Sequence, residues 1–354
     1  MKCIYCQNDS KYSDRIGGKC PGCGKAFAFE PKNQDPLTDA AFKAAIDRVS
    51  SNEQVKWGVE HLRYEVWRLL SAKARKTRRA GWMVVGAGAL LLTCAVTPLF
   101  VFAIIGGIAI LVGILVISLS RRPSLEQSEF DRLYDRYTAA HGVPKTAIVR
   151  RPRQGPEPTR IAPDLLEYSF DRAVICDRAR TVDLLVANQF HFENNCAILG
   201  AEGYPKHAFE IVRSMLKKNP KLEVFVLHDA TVEGCALAKR LSTDPKWFGG
   251  QNLRIVDVGL RPAHAKFYPG MEVPADPAPQ GVPEGGTHPE MAWLRKNKLE
   301  LAVVRPDQIV KRLYRAMTNL PEPADGDNGG VSGSDVWIYG GDYGTSDGGA
   351  DSFG

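Results

Sequence analysis

Two stretches of the chain stand out for what they lack. No Asp, Glu, Lys or Arg occurs from Gly81 to Ser120, which excludes an ordinary surface helix because such a helix keeps a polar face. No Lys or Arg occurs after residue 320, where seven acidic residues are found. Their removal from the formal net charge of +6 leaves +13 on residues 1–320. A body this basic favours anionic partners, either lipid or nucleic acid.

Cysteine and nucleophile motifs are also scarce. Four of the eight cysteines form two C-x-x-C pairs, and the others are scattered among apolar neighbours at Cys94, Cys176, Cys196 and Cys235. This usage excludes a disulfide framework and indicates a reducing compartment, with a metal site and buried thiols. The histidines are dispersed and no Ser or Cys lies in a recognisable nucleophile elbow. The sequence therefore offers no set of residues for covalent hydrolysis.

The two C-x-x-C pairs are the most specific chemical signal in the chain. Cys3 and Cys6 are separated from Cys20 and Cys23 by thirteen residues, a spacing typical of a four-thiolate zinc site. A segment this short cannot fold around an apolar core without metal. We therefore predict a zinc ribbon over residues 1–29 with structural zinc. A redox pair and a vestigial site are the alternatives.

The uncharged stretch 81–120 predicts a two-helix transmembrane hairpin, since about 20 apolar residues cross a bilayer. Pro98 lies near its middle, where it favours a turn at Thr97–Pro98. Lys and Arg flank both ends, so both termini are expected in the cytosol, with the protein integral to the cell inner (cytoplasmic) membrane. The alternative is a buried helical pair in a soluble core.

The hairpin is expected to stand between cytosolic segments. Juxtamembrane helices are predicted over 37–80 and 121–141, and they form a stalk. An apolar repeat in the first, from Val55 to Leu69, suits packing against the second, or else a homodimer through the stalk helices. A basic Pro-rich linker follows over 142–165. The Gly- and Asp-rich acidic tail 321–354 is expected to be disordered.

Residues 166–320 read as a cytosolic α/β domain. Short apolar runs alternate with amphipathic helical segments, which argues for a mainly parallel sheet with helices on its faces. The runs are 172–176, 196–200, 222–228, 253–260 and 299–304. Ligands of such sheets gather at the carboxyl ends of the strands. The residues there include Asp177, Arg178 and Asp229, and beside them Arg180, His228, His264 and Lys266 either contact phosphate or form a solvated rim.

The third run carries a resemblance to a known fold. The segment VFVLHDATVEGCALAKRL resembles the acidic motif of Toprim domains, with Asp229, Glu233 and Gly234 matching and Thr231 standing in place of the second Asp. Asp177 stands where the family has Glu. The resemblance covers roughly residues 168–262 and implies a Toprim-like fold, another Rossmann-like sheet being the alternative. It also implies Mg²⁺ held by Asp177, Asp229 and Glu233 as catalytic residues.

The departures from the motif weaken that site, because one carboxylate is lost and another is shortened by a methylene group. We therefore expect a membrane-anchored binding or scaffold protein whose degenerate Toprim-like domain recognises nucleic acid or a protein partner. The alternative is a metal-dependent enzyme that processes phosphodiesters with Asp177, Asp229 and Glu233. The question of catalysis is left open, with the balance against it.

Overall fold

The computed structural model describes residues 1–33, 35–93, 100–119, 124–149, 170–206, 208–276 and 288–318. They fall into two compact units that divide between residues 147 and 148. The predicted turn at Thr97–Pro98, most of the predicted linker and the predicted acidic tail lie outside the described residues.

The first unit combines the cysteine-rich segment with four helices. Short 3-10 turns occupy Tyr12–Asp14, Ile16–Gly18 and Pro31–Asn33, and the helices are α1 (Asp39–Val49), α2 (Val59–Thr93), α3 (Phe100–Leu119) and α4 (Gln127–His141). Helix α1 begins after Thr38, whose side chain accepts a hydrogen bond from the backbone N–H of Ala41 at 3.2 Å. Such a cap satisfies a donor that the first helical turn leaves unpaired.

One buried carboxylate joins the cysteine-rich segment to two of these helices. Asp39 is completely buried, and it accepts hydrogen bonds from the backbone N–H groups of Ala28 and Phe29, both at 2.9 Å. The Nε2 of His141, the last residue of α4, lies 2.6 Å from the same carboxylate. The Phe42 ring packs beside these contacts, 5.4 Å from that of Phe29. The cysteine-rich segment is thus held to α1 and α4 by contacts of the Asp39 carboxylate.

Glycines bring α2 and α3 into close contact. A Cβ atom at Gly88 would lie 2.8 Å from the carbonyl oxygen of Gly106, and one at Gly113 would lie 2.9 Å from that of Gly81. These distances are too short for a side chain, so the two backbones touch where glycine allows it. In contrast, no atom lies within 4 Å of a Cβ atom placed on Gly86, so a side chain fits at that position.

The predicted transmembrane hairpin over 81–120 is wrong. Among the described residues, none of the helices combines the length and the apolar character that crossing a bilayer requires. The uncharged part of α2, residues 81–93, rises only about 20 Å, against roughly 30 Å of hydrocarbon. The predicted membrane fold class, the two-span membrane partner and the inner-membrane localisation are therefore corrected as well.

Several large apolar side chains at the end of α2 and along α3 are nevertheless exposed. They include Trp82, Met83, Leu90, Ile104, Ile108 and Leu111. Where such side chains form a contiguous patch, they mark contact surfaces in proteins.

The second unit is built on a parallel sheet. The strands are β1 (Arg172–Cys176), β2 (Cys196–Gly200), β3 (Glu223–Leu227) and β4 (Arg254–Asp257), with α5 (Ala179–Ala187) and α6 (Phe190–Glu193) after β1, α7 (Phe209–Leu216) after β2, and α8 (Val232–Cys235) and α9 (Leu237–Thr243) after β3. A two-stranded antiparallel pair, β5 (Val273–Pro274) and β6 (Asn297–Lys298), brackets α10 (His288–Leu294), and α11 (Pro306–Thr318) follows. The mainly parallel α/β sheet predicted from the sequence is confirmed.

The strand order in the sheet is β2-β1-β3-β4. Central strand β1 pairs in parallel with both neighbours, so that Cys176 lies opposite Gly200 on one side and Leu227 on the other. The strands are buried along nearly their whole length, as the continuous apolar runs require of a sheet covered on both faces. The chain places β2 on one side of β1 and then crosses back to place β3 on the other side. This reversal creates a switch point between β1 and β3.

The fifth predicted strand, 299–304, is wrong. Leu301–Val303 forms a 3-10 turn, and only Leu299 pairs like a strand residue, exchanging backbone hydrogen bonds with Ala230. The segment crosses the end of β3 and does not extend the sheet, because the backbone N–H of Leu301 donates to the Asp229 carboxylate at 2.6 Å.

Candidate metal centre and switch-point edge

The four cysteines of the two C-x-x-C pairs converge on one point. Their sulfur atoms all lie within 4.8 Å of one another, with Cys3 Sγ 3.6 Å from Cys23 Sγ and Cys6 Sγ 3.5 Å from Cys20 Sγ. Sulfurs around a tetrahedral zinc ion at a bond length of about 2.3 Å lie roughly 3.8 Å apart. The four side chains can therefore hold a metal ion.

Two similar backbone turns aim these sulfurs. Within the first, Cys3 N–H donates to Asn8 O at 3.0 Å and Gln7 N–H donates to Cys3 O at 3.0 Å. The second repeats the pattern, since Cys20 N–H donates to Lys25 O at 2.9 Å and Gly24 N–H donates to Cys20 O at 2.8 Å. Gly24 has a φ of 70°, in the left-handed region that glycine adopts most readily.

The protonation of the thiols fits a cation-binding cluster. Burial opposes ionisation of Cys20, but hydrogen bonds from the backbone N–H groups of Cys23 and Gly22 outweigh it and lower the pKa of its thiol to about 7. The backbone N–H of Lys25 favours the Cys23 thiolate, yet desolvation and the neighbouring sulfurs raise its pKa to about 12. Four thiolates this close repel one another unless a cation lies among them.

Of the remaining described cysteines, Cys176 and Cys196 are buried and Cys235 is partly buried. Burial raises the pKa of Cys196 and of Cys235 to about 12, and it raises the pKa of Cys176 well above its usual value. A raised pKa disfavours the reactive thiolate form.

The second candidate site lies at the switch point between β1 and β3. We call the residues Asp177, Arg178, Arg180, Asp229 and Leu301 the switch-point edge. Both oxygens of the buried Asp229 carboxylate are engaged: Oδ1 accepts from Leu301 N–H at 2.6 Å, and Oδ2 accepts from Arg178 Nε at 3.1 Å. Arg180 Nη2 lies 3.9 Å from the same Oδ2 and 3.7 Å from Glu300 Oε1.

Asp177 contacts the backbone of Asp229. Its Oδ2 accepts a hydrogen bond from the backbone N–H of Asp229 at 2.8 Å, while its Oδ1 is buried without a hydrogen-bond partner among the described residues. Burial, and next to it the charge of Asp229, raises the pKa of the Asp177 carboxyl from 3.8 to about 7. A strongly perturbed carboxyl at a switch point is a mark of functional sites.

The third predicted site residue is placed differently. Glu233 is exposed on the short helix α8. The N-cap of this helix is Thr231, whose Oγ1 accepts a hydrogen bond from Gly234 N–H at 3.0 Å. Across the described ranges, the four cysteines are the only group of three or more His, Cys, Asp or Glu side chains gathered closely enough for a metal. The structure thus brings Asp177 and Asp229 together without Glu233, and the catalytic roles of all three stay predictions.

The basic residues near the edge divide into two sets. Arg178 and Lys266 are exposed, and Arg180 is partly exposed. His228 is completely buried and His264 is 4% exposed, so neither is part of a solvated rim. Sequence reasoning missed their partners, Asp257 at the end of β4 and Arg261 four residues later. The signal was available, because Asp257 ends an apolar run in the same way as Asp177.

Comparison of the chain with protein families, with curated proteins and with solved structures found no match in any of the three.

Proposed function

We propose that this chain is a binding protein without catalytic activity, whose α/β unit recognises nucleic acid by placing a backbone phosphate against Arg178 and Arg180 at the switch-point edge. The observation that carries this proposal is the way Asp229 is neutralised. Its two oxygens each accept a hydrogen bond, from Leu301 N–H and from Arg178, so donors of the protein itself partly neutralise this carboxylate. A Mg²⁺ site instead needs carboxylate oxygens that coordinate the ion.

The charge of the edge supports an anionic ligand. Because the pKa of Asp177 is raised to about 7, the acid pair carries fewer than two negative charges at neutral pH. Arg178 donates its Nε–H to Asp229, and the described residues provide no partner for its remaining N–H donors. Guanidinium groups bind phosphate with two parallel hydrogen bonds. The formal charge of +13 on residues 1–320 attracts the same class of ligand.

Two finer assignments belong to this proposal. The first is that the metal of the four-cysteine site is structural zinc, because four sulfur ligands leave no position open for a substrate or water. The second is that the α/β unit is a degenerate Toprim-like domain. Asp177 after β1 and Asp229 with Gly234 after β3 support it, while Thr231 stands in place of the second acidic residue and serves as a helix cap.

The test compares two arginines that flank the same strand. Arg178 follows β1 and pairs with Asp229, with 43% of its side chain exposed; Arg172 begins β1 and pairs with Glu223 at 3.5 Å, with 38% exposed. We expect Arg178→Gln to weaken binding of a fluorescein-labelled oligonucleotide by the full-length protein about 10-fold, as loss of a charge-assisted contact does. Arg172→Gln, the matched control, should bind as the wild type does. Equal effects of both substitutions would refute the assignment to this edge.

One observation favours a second function, phosphodiester processing with Mg²⁺. The buried Oδ1 of Asp177 has no partner among the described residues, and a carboxyl with a pKa near 7 suits proton transfer. Incubating the full-length protein with DNA and RNA oligonucleotides in Mg²⁺ or Mn²⁺ tests it. Cleavage that disappears in Asp229→Asn would establish the enzyme and overturn the binding-only proposal. Binding without cleavage is the outcome that the binding proposal predicts.

A further inference from the structure

A buried histidine at the end of β3 has an acceptor at each ring nitrogen. His228 Nδ1 lies 2.7 Å from the backbone carbonyl oxygen of Asp229, and Nε2 lies 2.9 Å from Asp257 Oδ1. A carbonyl oxygen only accepts, so Nδ1 must carry a proton and donate it. The charge state of His228 then depends on whether Asp257 is a carboxylate or a carboxylic acid.

Asp257 is held as a carboxylate. Its Oδ1 also accepts from the backbone N–H of Gly259 at 3.0 Å, and its Oδ2 accepts from Arg261 Nη2 at 2.7 Å. These two donors, an N–H group and a guanidinium cation, favour the ionised form of the carboxyl group. An ionised carboxylate accepts only, so His228 Nε2 must donate as well. A neutral imidazole, with one donor and one acceptor, does not satisfy both contacts.

We propose that His228 is a buried imidazolium cation at neutral pH and acts as a positioning residue, holding the end of β3 against the end of β4. Its Nδ1 contact fixes the Asp229 carbonyl, while the N–H of the same residue binds Asp177. The imidazolium thereby fixes the backbone position of Asp229, and with it the position of the Asp229 carboxylate. Its effect on ligand binding rests on the proposed function, whereas its charge does not.

The surroundings of the ring support this role. A Cβ atom at Gly259 would lie 2.2 Å from His228 Cδ2, so only glycine allows the ring to occupy its place. The charges that act on the ring are those of Asp257 from β4 and Asp177 from the end of β1. Burial alone would lower the pKa of His228, but these neighbours raise it. On the far side lies His264, with Arg261 between it and Asp257.

His264 provides a matched control in the same protein. It is also buried, but its Nδ1 accepts a hydrogen bond from the backbone N–H of Arg261 at 2.9 Å. An accepting nitrogen carries no proton, so His264 is neutral. Burial, followed by the charge of Arg312, lowers the pKa of His264 to about 4. The two buried histidines should therefore differ in charge throughout the neutral range.

The experiment is ¹⁵N NMR of the full-length protein with labelled histidine, in which His228→Gln and His264→Gln assign the two residues by loss of their signals. At pH 7 we expect imidazolium shifts for both nitrogens of His228 and the neutral form, with the proton on Nε2, for His264. One protonated and one bare nitrogen on His228 at pH 7 would overturn the proposal, whether or not the protein binds nucleic acid.

A second readout covers a variant that folds poorly. A raised histidine pKa contributes stability that is complete below about pH 6.5 and is lost as the pH rises through the raised pKa. The wild type should therefore exceed His228→Gln in urea midpoint by a margin that shrinks as the pH rises from 6.5. A margin that is constant with pH would mean that the ring only fills space, and it would contradict the assigned charge.

Discussion

Asp177 supports a quantitative prediction about stability. Its pKa is raised from 3.8 to about 7 because burial and the charge of Asp229 oppose its ionisation. A carboxyl whose folded pKa is raised destabilises the fold above its unfolded pKa, and the penalty grows until the folded pKa is passed. Each pKa unit is worth about 1.4 kcal/mol. The penalty is therefore about 2 kcal/mol at pH 5.5 and about 4 kcal/mol at pH 8.

Asp177→Asn removes this penalty and keeps an oxygen that can accept from the Asp229 N–H. The variant should be more stable than the wild type, and the gain should increase by about 2 kcal/mol between pH 5.5 and pH 8. The assay is urea unfolding of the full-length protein at both pH values, followed by circular dichroism. Comparing the variant with the wild type at each pH removes contributions from the other titrating groups.

The control is Asp171→Asn, which changes an exposed carboxylate beside the opposite ends of the strands. We expect its urea midpoint to match that of the wild type at both pH values. The reasoning would be refuted if Asp177→Asn were destabilising at pH 8, or if its gain were the same at pH 5.5 and pH 8. Either result would mean that the pKa of the Asp177 carboxyl is not raised in the folded protein.

Three further predictions concern other parts of the chain. Gly88→Leu should destabilise the contact of α2 with α3 by roughly 1–3 kcal/mol through overpacking, seen in thermal unfolding, whereas Gly86→Leu, with open space around it, should not. If the metal is zinc as proposed, Cys6→Ser should lower the zinc content measured by atomic absorption from one ion per chain to near zero, while Cys235→Ser should leave it unchanged; equal zinc in both variants would contradict the four-cysteine site. Thr231→Ala should cost about 1 kcal/mol in urea unfolding through loss of the α8 cap, and Thr231→Ser should restore it.

The α/β unit was largely predictable because its signals are local. The apolar runs 172–176 and 196–200 are strands with those bounds, since buried parallel strands need uninterrupted apolar sequence. The segment 299–304 has the same composition but forms a 3-10 turn. Its course is set by a long-range contact, the hydrogen bond of Leu301 N–H to Asp229. Composition carries no information about that contact.

The candidate sites show the same limit. The C-x-x-C spacing was sufficient to bring four sulfurs together, because the turn geometry is contained within each motif. The adjacency of Asp177 and Asp229 followed from their positions at the ends of parallel strands. The internal donors that neutralise Asp229, and the contact of His228 with Asp257, depend on side-chain packing across 29 to 72 residues of sequence. The hairpin predicted over 81–120 rested on residue composition alone, and none of the described helices combines the length and the apolar character to cross a bilayer.

The salt dependence of oligonucleotide binding tests the central claim most directly, because each phosphate contact contributes about one unit to the slope of log K against log salt concentration. We predict that Arg178→Gln lowers the slope by about one, and that Arg172→Gln leaves it unchanged. An unchanged slope in Arg178→Gln, with binding otherwise intact, would contradict phosphate recognition at the switch-point edge.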